Sequence, residues 1–346
     1  MAVIVRPVDL DTEREELLAV LEQNLADLPH ARRFKWMYCD HPEGPAWSWF
    51  VCDRASGRVH GVASVFRRAM WLGPRAVRCG QVGDFAIDAD HRSLGPAVML
   101  QRATFGPVDQ GQLALCYDCP PHERGMSTFR RLGMRADATV ARHARLLRTD
   151  RRLAGRLGLV GRALAPVGNA VLRLAAGRRA RPTGLAIARH EGRFGAEFSA
   201  LDRAGAAPGT IRGRRSAEDL NWRYRDDPLQ DYLVLTARRR AELIGFVVLI
   251  AEAGDMLVAD LFGDLTREET AGLLEAAADE ARAAGAETLH LSVSDDGRLA
   301  PDLRWAGFHR REEGPRVVAY APARGGAGGS EAGGWRWDLT HSDVMA

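Results

Sequence analysis

Residues 34–42 read FKWMYCDHP, and residues 220–228 read LNWRYRDDP. Trp36 answers to Trp222, Tyr38 to Tyr224, Asp40 to Asp226 and Pro42 to Pro228, all at one offset. Four matches at a fixed spacing, two of them aromatic, point to one folding unit used twice. Fainter echoes extend the pattern: Gly61 matches Gly245, Gly133 matches Gly307 and Met134 matches Phe308.

Working outward from the repeat, both halves read alike. Residues 12–28 carry Leu17, Leu18, Leu21, Leu25 and Leu28 at helical spacing, with Thr12 and Glu15 set for a capping box. The stretches AWSWFVCD, VHGVASVFRR and AVRCGQVGDFAID predict strands, followed by a helix over 97–105 and a further strand in QLALCYDC. Pro120 and Pro121 break that strand, and a short helix over 122–132 ends at Gly133. The second half starts near Ala188 with a helix in EGRFGAEFSALDRA. Strands follow in DYLVLTAR, ELIGFVVLIAE and DMLVADLFGD, then a long helix capped by Thr266 and Glu269, then a strand in TLHLSVS. Helix, antiparallel strands, a strand–helix–strand crossover and a short helix give a mixed α/β (α+β) unit with a central sheet flanked by helices.

Composition agrees. The 346 residues suit two domains, and 46% hydrophobic with 27% charged content is globular. A net charge of +3 names no partner. The five cysteines lack the paired spacing of a zinc ribbon, so reduced thiols are expected, and no metal is called for. MAVIVRPVDLDTERE lacks a basic region followed by an apolar core, and no run of eighteen apolar residues exists. These features predict a cytoplasmic protein without a secretory signal or transmembrane segment.

Between the halves the charge is concentrated. From Arg142 to Arg193 thirteen arginines face only Asp150 and Glu191, a local excess of +11. Leu153, Leu157, Val160, Leu164, Val167, Val171 and Leu174 form an apolar helical stripe, weakened by Pro166 and several glycines. The plain reading is a connector packed on both domains with solvated arginines. Sharper readings are docking of an acidic acyl-carrier protein or peripheral contact with an anionic membrane. The segment has no Phe, Trp or Tyr to stack on bases, so nucleic acid is not expected. ARGGAGGSEAGGW, residues 323–335, reads as a flexible loop before a last strand.

The element order and the segment FAIDADHRSLGPAVMLQRA resemble the GNAT acyltransferase superfamily, whose signature is Arg or Gln, two residues, Gly, one residue, then Gly or Ala. Arg92, Gly95 and Ala97 match it, and FRRLGM is similar to the family's element before the sixth strand. The whole chain resembles tandem GNAT proteins. This implies a GNAT-like domain over 1–147 that binds acetyl-CoA or another acyl-CoA, a basic amphipathic linker over 148–187, and a degenerate GNAT-like domain over 188–346. The implied CoA contacts are Phe85, Ala86, Ile87, Arg92, Ser93, Leu94, Gly95, Ala97 and Phe129.

The loop has its own physical logic. Free N–H groups and the dipole at a helix start attract a pyrophosphate. Gly95 lets a phosphate approach the backbone, while Pro96 removes one donor. The second half has no such pattern, and Glu268 and Glu269 would repel a phosphate there. That half is expected to close the acceptor cleft, with Trp36 and Trp222 as packing residues.

Acyl transfer needs a base for the amine and a proton for the leaving thiolate. The resemblance implies a carboxylate on the fourth strand, where Asp84 stands. It also implies a tyrosine where this chain has Phe129, which cannot donate a proton. Tyr117, Cys119 and His122 are local substitutes. Three functions remain open: an N-acyltransferase using acyl-CoA and a small-molecule or protein amine, transfer involving a carrier protein or aminoacyl-tRNA, and a non-catalytic acyl-CoA-binding protein.

Overall fold

The computed structural model describes residues 3–92, 94–121, 123–177, 184–322 and 334–344. Strand β1 (Val3–Pro7) precedes helices α1 (Arg14–Asn24) and α2 (His30–Phe34), and a π turn at Lys35–Cys39 carries Trp36 and Tyr38. An antiparallel meander follows: β2 (Trp47–Asp53), β3 (Val59–Leu72) and β4 (Arg75–Ile87). Helix α3 (Leu94–Asp109) crosses to β5 (Leu115–Asp118), parallel to β4, and α4 (Glu123–Arg131) leads into β6 (Ala138–Leu146).

Helix α5 (Asp150–Gly177) joins this half to β7 (Ala186–Arg189), α6 (Ala196–Ala204), β8 (Thr210–Gly213) and α7 (Ala217–Tyr224). A second meander comprises β9 (Leu233–Arg239), β10 (Glu242–Glu252) and β11 (Asp255–Gly263). Helix α8 (Arg267–Ala283) crosses to β12 (Thr288–Ser294), parallel to β11. The described chain closes with α9 (Ala300–Trp305), β13 (His309–Tyr320), β14 (Arg336–Trp337) and α10 (His341–Val344).

The sheet is continuous and mixed, in the order β1-β2-β3-β4-β5-β13-β6-β12-β11-β10-β9-β7. Its centre is an exchange: β6 lies between β13 and β12, while the far end of β13 pairs with β5. Separating the halves would therefore break ladder hydrogen bonds. Helix α8 shows why its sequence is helical and where it packs. Leu273, Leu274, Ala277, Ala278 and Ala281 recur at helical spacing and are fully buried in one apolar cluster with Val247, Val258 and Leu291.

Local signals had mixed outcomes. The Thr266–Glu269 capping box forms on α8. The Thr12–Glu15 box does not: α1 starts one residue later, behind Glu13. Asp9 Oδ1 accepts from the backbone N–H of Asp11 at 3.0 Å, and Glu13 is held by Arg6 at 3.0 Å, so a different turn precedes the helix. That helix also ends at Asn24 rather than at Leu28. The linker is helical as its stripe predicts and kinks at Gly158, where φ is 56°. Packing of the whole stripe on the body is corrected, however: Val160, Val167 and Val171 are 63%, 64% and 60% exposed. Among the described residues, no helix is long and apolar enough to cross a membrane. All five cysteines are free thiols, four of them buried. Most of the glycine-rich loop, residues 323–333, lies outside the described residues.

Candidate functional site

Strands β4 and β5 touch only briefly. Their parallel pairing covers Cys79–Gln81 against Leu115–Tyr117. Beyond it β4 stays on β3 and β5 stays on β13, so the two diverge into a wedge. A β-bulge bends β4 at that point: Asp84 and Phe85 together face Ala63, between the pairs Val62–Ala86 and Ser64–Gly83. Asp84 takes a left-handed φ of 47°, a conformation Asp tolerates better than most side chains.

The bulge turns Asp84 inward. Arg33 Nη2 donates to Asp84 Oδ1 at 2.5 Å and the Tyr38 hydroxyl donates to Oδ2 at 2.6 Å. Ser64 in turn donates to the Tyr38 oxygen at 3.3 Å. The Arg33 and Asp84 side chains are 5% and 2% exposed, so this is a buried ion pair. Both carboxylate oxygens hold a donor. Asp84 is thus enclosed between Arg33 and Tyr38, away from solvent.

The second half repeats the device, which answers the question posed by the sequence repeat. Strand β11 pairs with β12 only over Met256–Val258 and Leu289–Leu291, and a register shift again marks the divergence. There Tyr224 donates to Asp260 Oδ2 at 3.2 Å, and Arg215 binds both oxygens through Nε at 3.1 and 2.9 Å. The tyrosine of each Trp-x-Tyr segment thus holds a carboxylate on its own strand. The tryptophans meet across the junction. Their rings stack at 4.9 Å, Trp36 Nε1 donates to the Trp222 carbonyl at 2.7 Å, and Trp222 Nε1 donates to the Trp36 carbonyl at 3.0 Å. They pack as expected, and they also wall a cavity of about 300 Å³ shared with Arg33, Arg68, Tyr232, Leu257 and His341. Burial lowers the His341 imidazole to about 4.

At the end of β4, Ala86 and Ile87 are buried, and Phe85 and Ala97 pack against the cluster containing Leu100. Arg92 folds back on its own loop, donating through Nε to the Ile87 carbonyl at 2.9 Å and through Nη2 to Asn24 at 3.4 Å. It shapes the loop entering α3. A Cβ placed on Gly95 meets nothing within 4 Å, so the approach to the first turn of α3 is open. Leu94 opens that helix, while Ser93 lies outside the described residues.

Phe129 is buried in the wedge-side cluster with Val82, Cys116 and Phe105. The Tyr117 hydroxyl donates to the Asp343 carbonyl at 2.9 Å, and burial raises it well above the usual phenol range. It ties β5 to the closing segment, whose Asp343 carboxylate accepts from Arg215 at 2.8 Å. Burial also raises the Cys119 thiol, and His122 lies outside the described residues. Sequence reasoning passed over Asp118. It is the last residue of β5, one past the final β4 pair, and burial pushes its carboxyl up to about 7. Its neighbours in CYDC gave no signal, because the shift comes from tertiary enclosure.

No family model and no curated protein matches this sequence. Solved structures do match in three dimensions. The chain superposes on a conserved protein from Enterococcus faecalis V583 with a TM-score of 0.67 and 11% identity, over 93% of this chain and 73% of that one. A GCN5-related N-acetyltransferase from Anabaena variabilis gives 0.64 at 11% identity, over 92% and 72%. Saccharomyces cerevisiae N-myristoyltransferase with bound myristoyl-CoA gives 0.55 at 10% identity, over 92% and 82%. The fold is therefore the GNAT fold, carried across nearly the whole chain.

Proposed function

We propose that this protein is an N-acyltransferase that moves an acyl group from acetyl-CoA or another acyl-CoA to an amine. The observation that carries the reading is the β4–β5 wedge, opening at a bulge and leading into a helix start whose Gly95 leaves a phosphate path free. The myristoyl-CoA in the yeast structure supports acyl-CoA as the donor class. Residues 1–147 bind the donor in this reading, 148–187 connect, and 188–346 close the acceptor cleft. A cavity walled by both Trp36 and Trp222 supports that division of labour.

The amine attacks the thioester carbonyl and gives up a proton, the N–C bond forms, the C–S bond breaks, and the thiolate takes a proton from water, to which the base returns the one it accepted. Asp118 is the proton acceptor, because it sits at the mouth of the wedge with a carboxyl that titrates near neutrality. Asp84 positions Arg33 and Tyr38 behind the cavity wall.

The test is acyl-CoA binding by calorimetry, followed by CoA release with a panel of amines. Gly95→Glu is expected to fold normally and to lose CoA affinity by more than about a hundredfold. Two charge-assisted hydrogen bonds at roughly 1.5–3 kcal/mol each account for that loss. Unchanged affinity would put the phosphates elsewhere. The arginine-rich sequence around α5, with apolar Val160, Val167 and Val171 exposed on it, favours a second donor source, an acidic acyl-carrier protein, which a comparison of carrier-bound and CoA-bound donors would reveal.

A further inference from the structure

We infer that His60, Asp88 and His91 form a binding site for a divalent transition-metal ion of the zinc class. One ligand atom from each residue lies within 4.8 Å of the others. His60 projects from β3, while Asp88 and His91 lie in the loop between β4 and α3, and the Asp88 N–H donates to the His60 carbonyl at 2.8 Å. Backbone pairing therefore fixes where two of the three side chains start.

The polar atoms point to a missing ligand. His60 is 2% exposed, yet neither ring nitrogen has a hydrogen-bond partner, and His91 Nδ1 is buried without one as well. Buried polar groups are nearly always satisfied, so three unsatisfied imidazole nitrogens in one spot need a reason. A metal ion supplies one, because a neutral imidazole offers it a lone pair. The carboxylate is already aimed. Asp88 Oδ1 accepts from Asn24 Nδ2 at 3.0 Å, which leaves Oδ2 turned toward His60 Nδ1 at 3.7 Å. A partner that orients a ligating carboxylate in this way is a common feature of metal sites.

The ligand atoms already lie near the separations a metal ion sets. Metal bonds of about 2.0–2.1 Å at tetrahedral angles set ligand atoms roughly 3.3 Å apart. The present His60–Asp88 separation is 3.7 Å, and the His60 and His91 rings stack with centroids at 3.6 Å. The His91 ring has to swing out of the stack for its lone pair to meet that of His60 at one ion, because stacked rings hold their lone pairs nearly parallel. Two imidazoles and one carboxylate suit zinc, iron(II), cobalt(II) or nickel(II) and disfavour magnesium or calcium, which want oxygen. Three protein ligands leave a coordination position for water. The ion would pin β3 to the loop that enters α3, next to Arg92.

The probe is zinc itself, added to full-length protein freed of metal by chelation, with cobalt(II) as a spectroscopic stand-in. One zinc per chain is expected, together with a rise in melting temperature and intense visible cobalt bands of the tetrahedral type. His91→Asn and Asp88→Asn keep similar shapes and should stay folded by circular dichroism. Each is expected to weaken zinc binding by roughly a hundredfold or more. His60→Asn should do the same, but it replaces a fully enclosed ring, so the other two variants carry the decision if it unfolds. Wild-type protein that takes up no zinc at micromolar concentration overturns the proposal. Stoichiometric binding that survives both His91→Asn and Asp88→Asn overturns it as well, since the ion would then sit elsewhere, for example at the exposed Cys39 thiol.

Discussion

Asp84→Ala is expected to destabilise the protein by about 3–5 kcal/mol, because it removes one partner of a buried ion pair and leaves the other uncompensated. Arg33 is 5% exposed on its side chain and has its charge matched by Asp84 at 2.5 Å. The Tyr38 hydroxyl loses its acceptor in the same step. Alanine also inherits a φ of 47°, which costs an L-residue roughly 1–2 kcal/mol. Asp84→Gly should therefore be less damaging than Asp84→Ala by about 1 kcal/mol, although glycine removes more side chain. Urea denaturation with an unchanged slope is the measurement. A loss below 1 kcal/mol for Asp84→Ala would mean that water or a rearranged Arg33 replaces the pair. Asp84→Asn separates positioning from chemistry. A general base would lose turnover while the fold stayed intact, whereas a positioning residue loses stability first.

The same network explains what the sequence could and could not disclose. The Trp-x-Tyr repeat was visible because both copies do the same job at the same offset. The carboxylates they hold were not visible as a pair, since Tyr38 lies 46 residues from Asp84 while Tyr224 lies 36 from Asp260. Different loop lengths erase the periodicity although the contact is kept. Thr266 announced its capping box correctly because nothing competes for its helix start. Thr12 did not, because Asp9 takes the nearby backbone donors. Exchange of β6 and β13 at the sheet centre rests on pairings between residues more than 140 positions apart, which no local pattern encodes. His60 and Asp88 meet for the same reason, through the β3–β4 ladder rather than through a spaced motif.

Asp118→Asn is expected to lower turnover by roughly 10²–10⁴ if Asp118 accepts the proton of the attacking amine. Burial raises its carboxyl from the ordinary carboxylate range to about 7, so wild-type turnover should rise with pH through that region and level off above it. The asparagine variant should lack this rise. The same shift has a consequence for stability with a definite sign. A carboxyl whose folded value lies above its unfolded value favours folding in the protonated form. That advantage is complete below about pH 4 and is lost as pH climbs through about 7. Its limit is about 4 kcal/mol, reduced by whatever water reaches the partly exposed strand end. Wild-type protein should thus melt progressively below Asp118→Asn as pH is raised from 5 to 8, and the two should converge toward pH 4. Those two readouts decide between roles. A loss of turnover with no pH-dependent gap in melting between the two proteins would place Asp118 in solvent as an ordinary carboxylate that merely orients substrate. Convergence with full turnover would leave it an enclosed structural acid and return the proton to the acceptor amine or to water.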